Sequence, residues 1–155
     1  MININDYFDN YPRKTGDLTL SVMNFFIKEQ YNDFQKNMKF IHVAGTNGKG
    51  STVETISNIL IAEGYSVGTF ISPHLEKYNE RIKINNNPIS DTEFSNLIEE
   101  LTPKINLYDA EHENKVSFFE IITIIALIYF YRKKVDFVVL EVGCRRTFGL
   151  YKYYR

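Results

Sequence analysis

The chain has 155 residues, 44% hydrophobic and 24% charged, with a formal net charge of −1. That is length and apolar content enough for one domain with a real core, and the charge balance carries no basic footprint for nucleic acid. A single cysteine, Cys144, excludes an internal disulfide framework, and the longest apolar run, residues 118–131, is too short to span a bilayer and contains Glu120. The N-terminus, MININDYFDNYPRK, has no apolar core of the signal-peptide kind, so the cytoplasm is the expected location. Charge is unevenly spread: residues 144–155 hold Arg145, Arg146, Lys152 and Arg155 with no acid, which leaves −5 for the remainder.

In chain order, apolar residues near helical spacing predict a helix over 17–31. KFIHVAG, 39–45, is a short apolar run ending in glycine and reads as a buried strand. From 48 to 65, Val53, Ile56, Ile59, Leu60 and Ala62 recur at three- and four-residue steps, predicting a helix with Gly64 as its stop. SVGTFIS, 66–72, is a second strand, so residues 39–72 form one βαβ unit. Residues 73–90 read as a loop with a short strand at ERIKI. SDTEFSNLIEELTPKI, 90–105, reads as a helix that opens at Ser90 or Asp91, with Glu93 placed as a capping-box partner of Ser90. A long apolar helix over 117–134 ends in basic residues that suit its dipole, and VDFVVLEVG, 135–143, has the near-continuous apolar character of a strand buried on both faces. This alternation predicts an α/β fold, a parallel sheet flanked by helices.

The chemistry points to HVAGTNGKGST. Between a strand and a helix, Gly45, Gly48 and Gly50 allow a sharp turn and close approach of backbone N–H groups to a ligand, and a helix start attracts anions. Thr46 and Asn47 complete the loop. Lys49 adds a positive charge, and Ser51 or Thr52 supplies a hydroxyl suited to Mg²⁺ held by phosphates. These features describe a nucleoside triphosphate site, although the spacing departs from G-x-x-x-x-G-K-[ST]. Ligands of open parallel sheets bind at the C-terminal strand ends, which puts Glu141 and Ser72 on the same rim as candidate metal ligands. His74 reads more as a polar loop residue than as a catalyst, and His42, inside its strand, as structural. Glu120 is either a buried, hydrogen-bonded acid or a pocket-lining one.

FIHVAGTNGKGSTV, SVGTFISPHLEKYNERIKIN, SFFEIITIIAL and VDFVVLEVG, in this order, closely resemble the N-terminal part of folylpolyglutamate synthase/dihydrofolate synthase, an ATP-dependent amide ligase family of the Mur ligase superfamily. The resemblance covers nearly all of residues 1–143 and implies part of a P-loop ATP-binding domain of the Mur ligase type. It implies that ATP phosphorylates a carboxylate of a pterin substrate, dihydropteroate or a folate's terminal glutamate, and that L-glutamate attacks the acyl phosphate. Lys49 and the loop amides would bind phosphates, Ser51, Ser72 and Glu141 would ligate Mg²⁺, and Lys49 and Glu141 would be the catalytic pair. His74, Arg81, Phe118, Phe119 and Glu120 would help hold the pterin or folate, with Phe119 either stacking on a pterin or lying in the core. It also implies a monomer. Two rival readings are a nucleotide- or folate-binding fragment without catalysis and a generic P-loop NTPase.

The family pattern continues after E-V-G with L-G-G-R-L-D, whereas this chain reads C-R-R-T-F-G. One permitted codon string for residues 144–155, with a single base removed at codon 144, translates as L-G-G-R-L-D-S-T-N-I-I. The expectation is therefore a frameshifted tail over 144–155, in the gene or in its reading. On that expectation the C-terminal glutamate-ligase domain is absent and this chain is an inactive fragment.

Overall fold

The computed structural model describes residues 2–11, 20–28 and 38–142. The elements are α1 (Ile4–Asp9), α2 (Leu20–Met23, continued by a wide π-type turn over Asn24–Lys28), β1 (Lys39–Ala44), α3 (Lys49–Ala62), β2 (Val67–Phe70), β3 (Ile82–Ile84), β4 (Asn87–Pro88), α4 (Asp91–Glu111), α5 (Phe118–Arg132) and β5 (Phe137–Val142). The outer parts of the helix expected over 17–31, and the whole of residues 144–155, lie outside the described residues.

The sheet has the order β1-β5-β2-β3-β4. β5 lies between β1 and β2 and is parallel to both, as the apolar strands predict. β3 and β4 add an antiparallel hairpin at the β2 edge. Its turn is Asn85-Asn86, at φ 48° and 66°, where asparagine tolerates the left-handed region that a tight hairpin demands. Asn85 also clamps the start of β2: its side-chain oxygen accepts from the Val67 N–H at 2.8 Å, and its own N–H donates to the Val67 carbonyl at 2.9 Å.

Side chains alternate across each strand, and the alternation divides the core. Val139 of β5 joins Val43, Val53 and Val67 under α3. Val138 and Leu140 face the other way, into a larger core with Phe70, Ile82 and the apolar residues of α4 and α5. Every residue of α5 from Glu120 to Phe130 is buried. Full burial of each large side chain stabilises by roughly 1.5–3 kcal/mol, so this helix anchors the fold. It sits close to the sheet because of Gly68. A Cβ there would lie 2.6 Å from the Phe130 ring.

α4 begins at Ser90, whose hydroxyl oxygen accepts from the Glu93 N–H at 3.3 Å and whose O–H donates to the Glu93 carboxylate at 2.8 Å. It runs through Pro103 to Glu111, beyond the stretch legible from spacing. At the end of α3, Gly64 at φ 88° lets the Tyr65 N–H reach back to the Leu60 carbonyl at 3.1 Å, so it stops the helix as expected. No helix of the described residues is long and apolar enough to cross a membrane.

Candidate phosphate-binding rim

The glycine loop joins β1 to α3. Gly48 is the N-cap residue at φ 74°, a left-handed conformation that favours glycine, and it turns the chain so that α3 starts at Lys49. Gly45 and Gly50 do not have that need. A Cβ on Gly45 would meet only ordinary contacts, and one on Gly50 would lie 4.0 Å from the Glu141 carboxylate. No side chain caps this helix start. Its first N–H groups and dipole are therefore available to an anion.

Alternation along β5 explains how Glu141 reaches the loop. Counting in twos from Val139 places it on the α3 face, and its register partner on β1 is Val43, two residues before Gly45. It is 7% exposed. Lys49 Nζ lies 3.7 Å from Glu141 Oε1 and 3.5 Å from the Thr46 carbonyl, so the lysine folds back over the loop. The Ser72 N–H donates to Glu141 Oε2 at 3.2 Å. Three segments far apart in sequence thus meet around one carboxylate.

Within the first turn of α3 the two hydroxyl candidates differ. Thr52 donates its O–H to the Gly48 carbonyl at 2.8 Å, which commits its proton to the helix. Ser51 is exposed. Glu141, Ser51 and Ser72 carry oxygens of the hard kind that Mg²⁺ takes, a cation that uses one or two carboxylates and completes its shell with phosphate and water. Of the three, the Glu141 carboxylate and the Ser72 backbone N–H are in direct contact. Among the described residues, no three His, Cys, Asp or Glu gather into a denser metal cluster.

The remaining candidates gather on the segment after β2 and at the start of α5. Arg81 Nε donates to His74 Nδ1 at 2.8 Å, and the Arg81 guanidinium carbon lies 5.3 Å from the Phe118 ring centre. Phe119 is half-buried, 5.9 Å from Phe70, which favours a packing role over a free stacking face. Glu120 accepts from the N–H and O–H of Ser117 at 2.8 and 2.7 Å and closes a capping box on α5. S-F-F-E carried that signal, S-x-x-E before an apolar run. His42 has a lowered pKa through burial.

Sequence reasoning missed Glu80. Its carboxylate accepts from the backbone N–H groups of Leu75, Glu76 and Lys77 at 2.9, 3.0 and 2.7 Å. Those bonds hold its pKa down at about 2. N-E-R-I contains it, but nothing in the spacing shows that the carboxylate turns back onto the preceding loop. Asn79, next to it, ties the segment to α4 by donating to the Ile89 carbonyl and to Asp91 at 2.8 and 2.9 Å.

A cavity of about 350 Å³ lies elsewhere, lined by Ile2, Asn3, Ile4, Asn5, Lys77, Asn79 and Asp91. None of the glycine-loop residues borders it. At the rim, by contrast, a cation, a buried carboxylate and uncapped amides converge.

No family model matches the chain. It is 46% identical over 110 residues to the dihydrofolate synthase/folylpolyglutamate synthase of Bacillus subtilis, a match over 70% of this chain and 26% of that protein. The crystal structure of folylpolyglutamate synthase from Thermotoga maritima superposes with a TM-score of 0.77 at 37% identity, over 88% of this chain and 31% of that one. A structure described as an FPGS-AMPPCP-folate complex superposes with a TM-score of 0.75 at 35% identity, over 88% and 33%. The chain spans between a quarter and a third of the length of these relatives. In sequence and in fold, this chain belongs to the folylpolyglutamate synthase/dihydrofolate synthase family.

Proposed function

We propose that the rim formed by residues 45–52, Ser72 and Glu141 binds the phosphates of ATP with Mg²⁺. In a full-length enzyme it would serve the ATP-dependent ligation of L-glutamate to dihydropteroate or to a folylpolyglutamate. The observation that carries this reading is the meeting of Lys49, the Ser72 amide and the start of α3 around the Glu141 carboxylate. The solved complex with AMPPCP and folate supports it by likeness.

In this reading the amides of the glycine loop and Lys49 hold the β and γ phosphates. Phosphoryl transfer asks mainly for positioning and charge neutralisation, which such a loop supplies. Lys49, released from Glu141 by an arriving phosphate, exchanges one anion for another. Glu141, Ser51 and Ser72 would hold Mg²⁺, which when bound neutralises charge on the phosphates. The carboxylate of the pterin substrate receives the γ-phosphoryl group, and the amine of glutamate displaces phosphate to form the amide. His74, Arg81 and Phe118 border the side on which the pterin or folate would sit. The working enzyme would be a cytoplasmic monomer.

These 155 residues by themselves would bind nucleotide without turning it over, since they span at most about a third of a relative's length. Isothermal titration of the folded chain with MgATP tests this. Binding is expected, weakened at least about tenfold in Lys49→Ala through loss of a charged hydrogen-bond donor, with no glutamate-dependent release of ADP. A folded chain that ignores MgATP, or a Lys49→Ala variant that binds it undiminished, sinks the reading.

A further inference from the structure

The segment from Ser72 to Ile82 leaves β2 and returns as β3, and its side chains brace one another. Arg81 is only 8% exposed. Its guanidinium lies against two rings, 5.3 Å from Phe118 and 5.7 Å from Tyr78. Its Nε–H donates to His74 Nδ1 at 2.8 Å. A guanidinium donates and never accepts, so the imidazole nitrogen that it meets offers a lone pair, and the ring proton resides on Nε2. The plane of His74 is also set: its ring packs 4.2 Å from Tyr78, whose hydroxyl donates to Asp9 at 2.9 Å. The backbone just after it is held by the three N–H bonds to Glu80. His74 itself stays half-exposed, two residues from the Ser72 that touches Glu141.

We propose that Arg81 is a positioning residue that locks His74 in its Nε2–H tautomer, so that His74 presents a fixed hydrogen-bond donor to the pterin-bearing substrate on this rim. This deepens the reading above and rests on it for the identity of the ligand. A donor of fixed tautomer suits a ligand rich in carbonyl and carboxylate acceptors. Arg81, buried between two rings, then acts through His74 rather than by its own contact.

The test has two arms, both on the whole 155-residue chain. The first is the nitrogen-15 spectrum of the histidine rings, with His74 assigned by difference against His74→Gln. A protonated Nε2 and an unprotonated Nδ1 are expected in the parent chain, and a mixture of tautomers in Arg81→Gln. A parent ring protonated on Nδ1 overturns the proposal. The second arm is titration with dihydropteroate in the presence of MgATP. Arg81→Gln is expected to weaken uptake about tenfold. His74→Gln can place an amide nitrogen where Nε2 stands, whereas His74→Asn reaches only to the Nδ1 position. Both lose the ring contact with Tyr78, so the pair isolates the donor, and His74→Gln is expected to bind about fivefold or more tighter. Equal binding by the two overturns the proposal. Should Arg81→Gln fail to fold, the parent spectrum and the His74 pair decide the matter. A parent chain with the Nε2–H ring that takes up no dihydropteroate overturns the donor role, while the nucleotide reading is judged separately by the MgATP titration.

Discussion

α3 and α5 cover the sheet from opposite sides, and they are built in opposite ways. α5 is buried along eleven consecutive residues, packed between the sheet and the layer of α2 and α4. α3 buries only Val53 and Ser57, and Ile59 on it is 59% exposed. A helix apolar all round belongs to a core, and one with a narrow apolar stripe lies over a surface. Stability therefore concentrates on the α5 side. The α3 side is left free to orient its first turn, which is where the phosphate chemistry is proposed. The two roles can be separated by mutation.

The largest expected effect is in α5. Ile124→Ala removes a side chain that is 1% exposed and should cost about 2–5 kcal/mol in chemical denaturation, enough to leave the chain marginal. Gly68→Ala comes next, since its methyl would meet the Phe130 ring at 2.6 Å; about 1–3 kcal/mol is expected by the same measurement. A smaller, pH-dependent effect belongs to Glu80. Its pKa is about 2 in the folded chain against 4.5 when free, so its contribution is complete above pH 4.5 and is lost as pH falls from 4.5 towards 2. The stability difference between the parent chain and Glu80→Gln should therefore hold steady above that window and shrink within it. A difference that grows on acidification contradicts the assigned bonds. The smallest effect is on α3, where Ile59→Lys should change stability by no more than about 0.5 kcal/mol. An Ile59→Lys cost as large as that of Ile124→Ala would erase the distinction between the helices.

Much of this was legible because several signals agreed. KFIHVAG, the glycine loop and the apolar steps of Val53 to Leu60 placed β1, the turn and α3 close to where they lie, with the end of α3 read three residues late. The place of Glu141 beside the glycine loop was legible because it stands at the C-terminal end of an apolar strand, where the rim of a parallel sheet gathers its loops. The hairpin was only half visible: β3 and β4 are three and two residues long, too short for a period-two pattern, although Asn85-Asn86 carried the turn. The end of α4 was not legible: the stretch read from the sequence runs through Pro103 and stops at Ile105, whereas the helix continues to Glu111 with Tyr108 packed in the core. Glu120 stayed ambiguous because burial and capping look alike in a sequence. The pairing of His74 with Arg81 could not be read at all. It depends on the chain doubling back within seven residues, and only the closed loop shows it.

The position of β5 has a consequence for how the molecule comes into being. It is the last element of the described chain and the central one of the three parallel strands, so β1 and β2 are joined only through it and lack their shared neighbour until it arrives. The Ser72 amide and its Glu141 acceptor are 69 residues apart. On a ribosome, the strand, loop and helix that hold Lys49 would emerge early and wait. Closing so long a loop carries an entropic cost that only native contacts of the whole sheet offset. The proposed phosphate rim is thus completed by the final described strand, and nascent chains that stop short of it would carry the glycine motif without the carboxylate that lies against it.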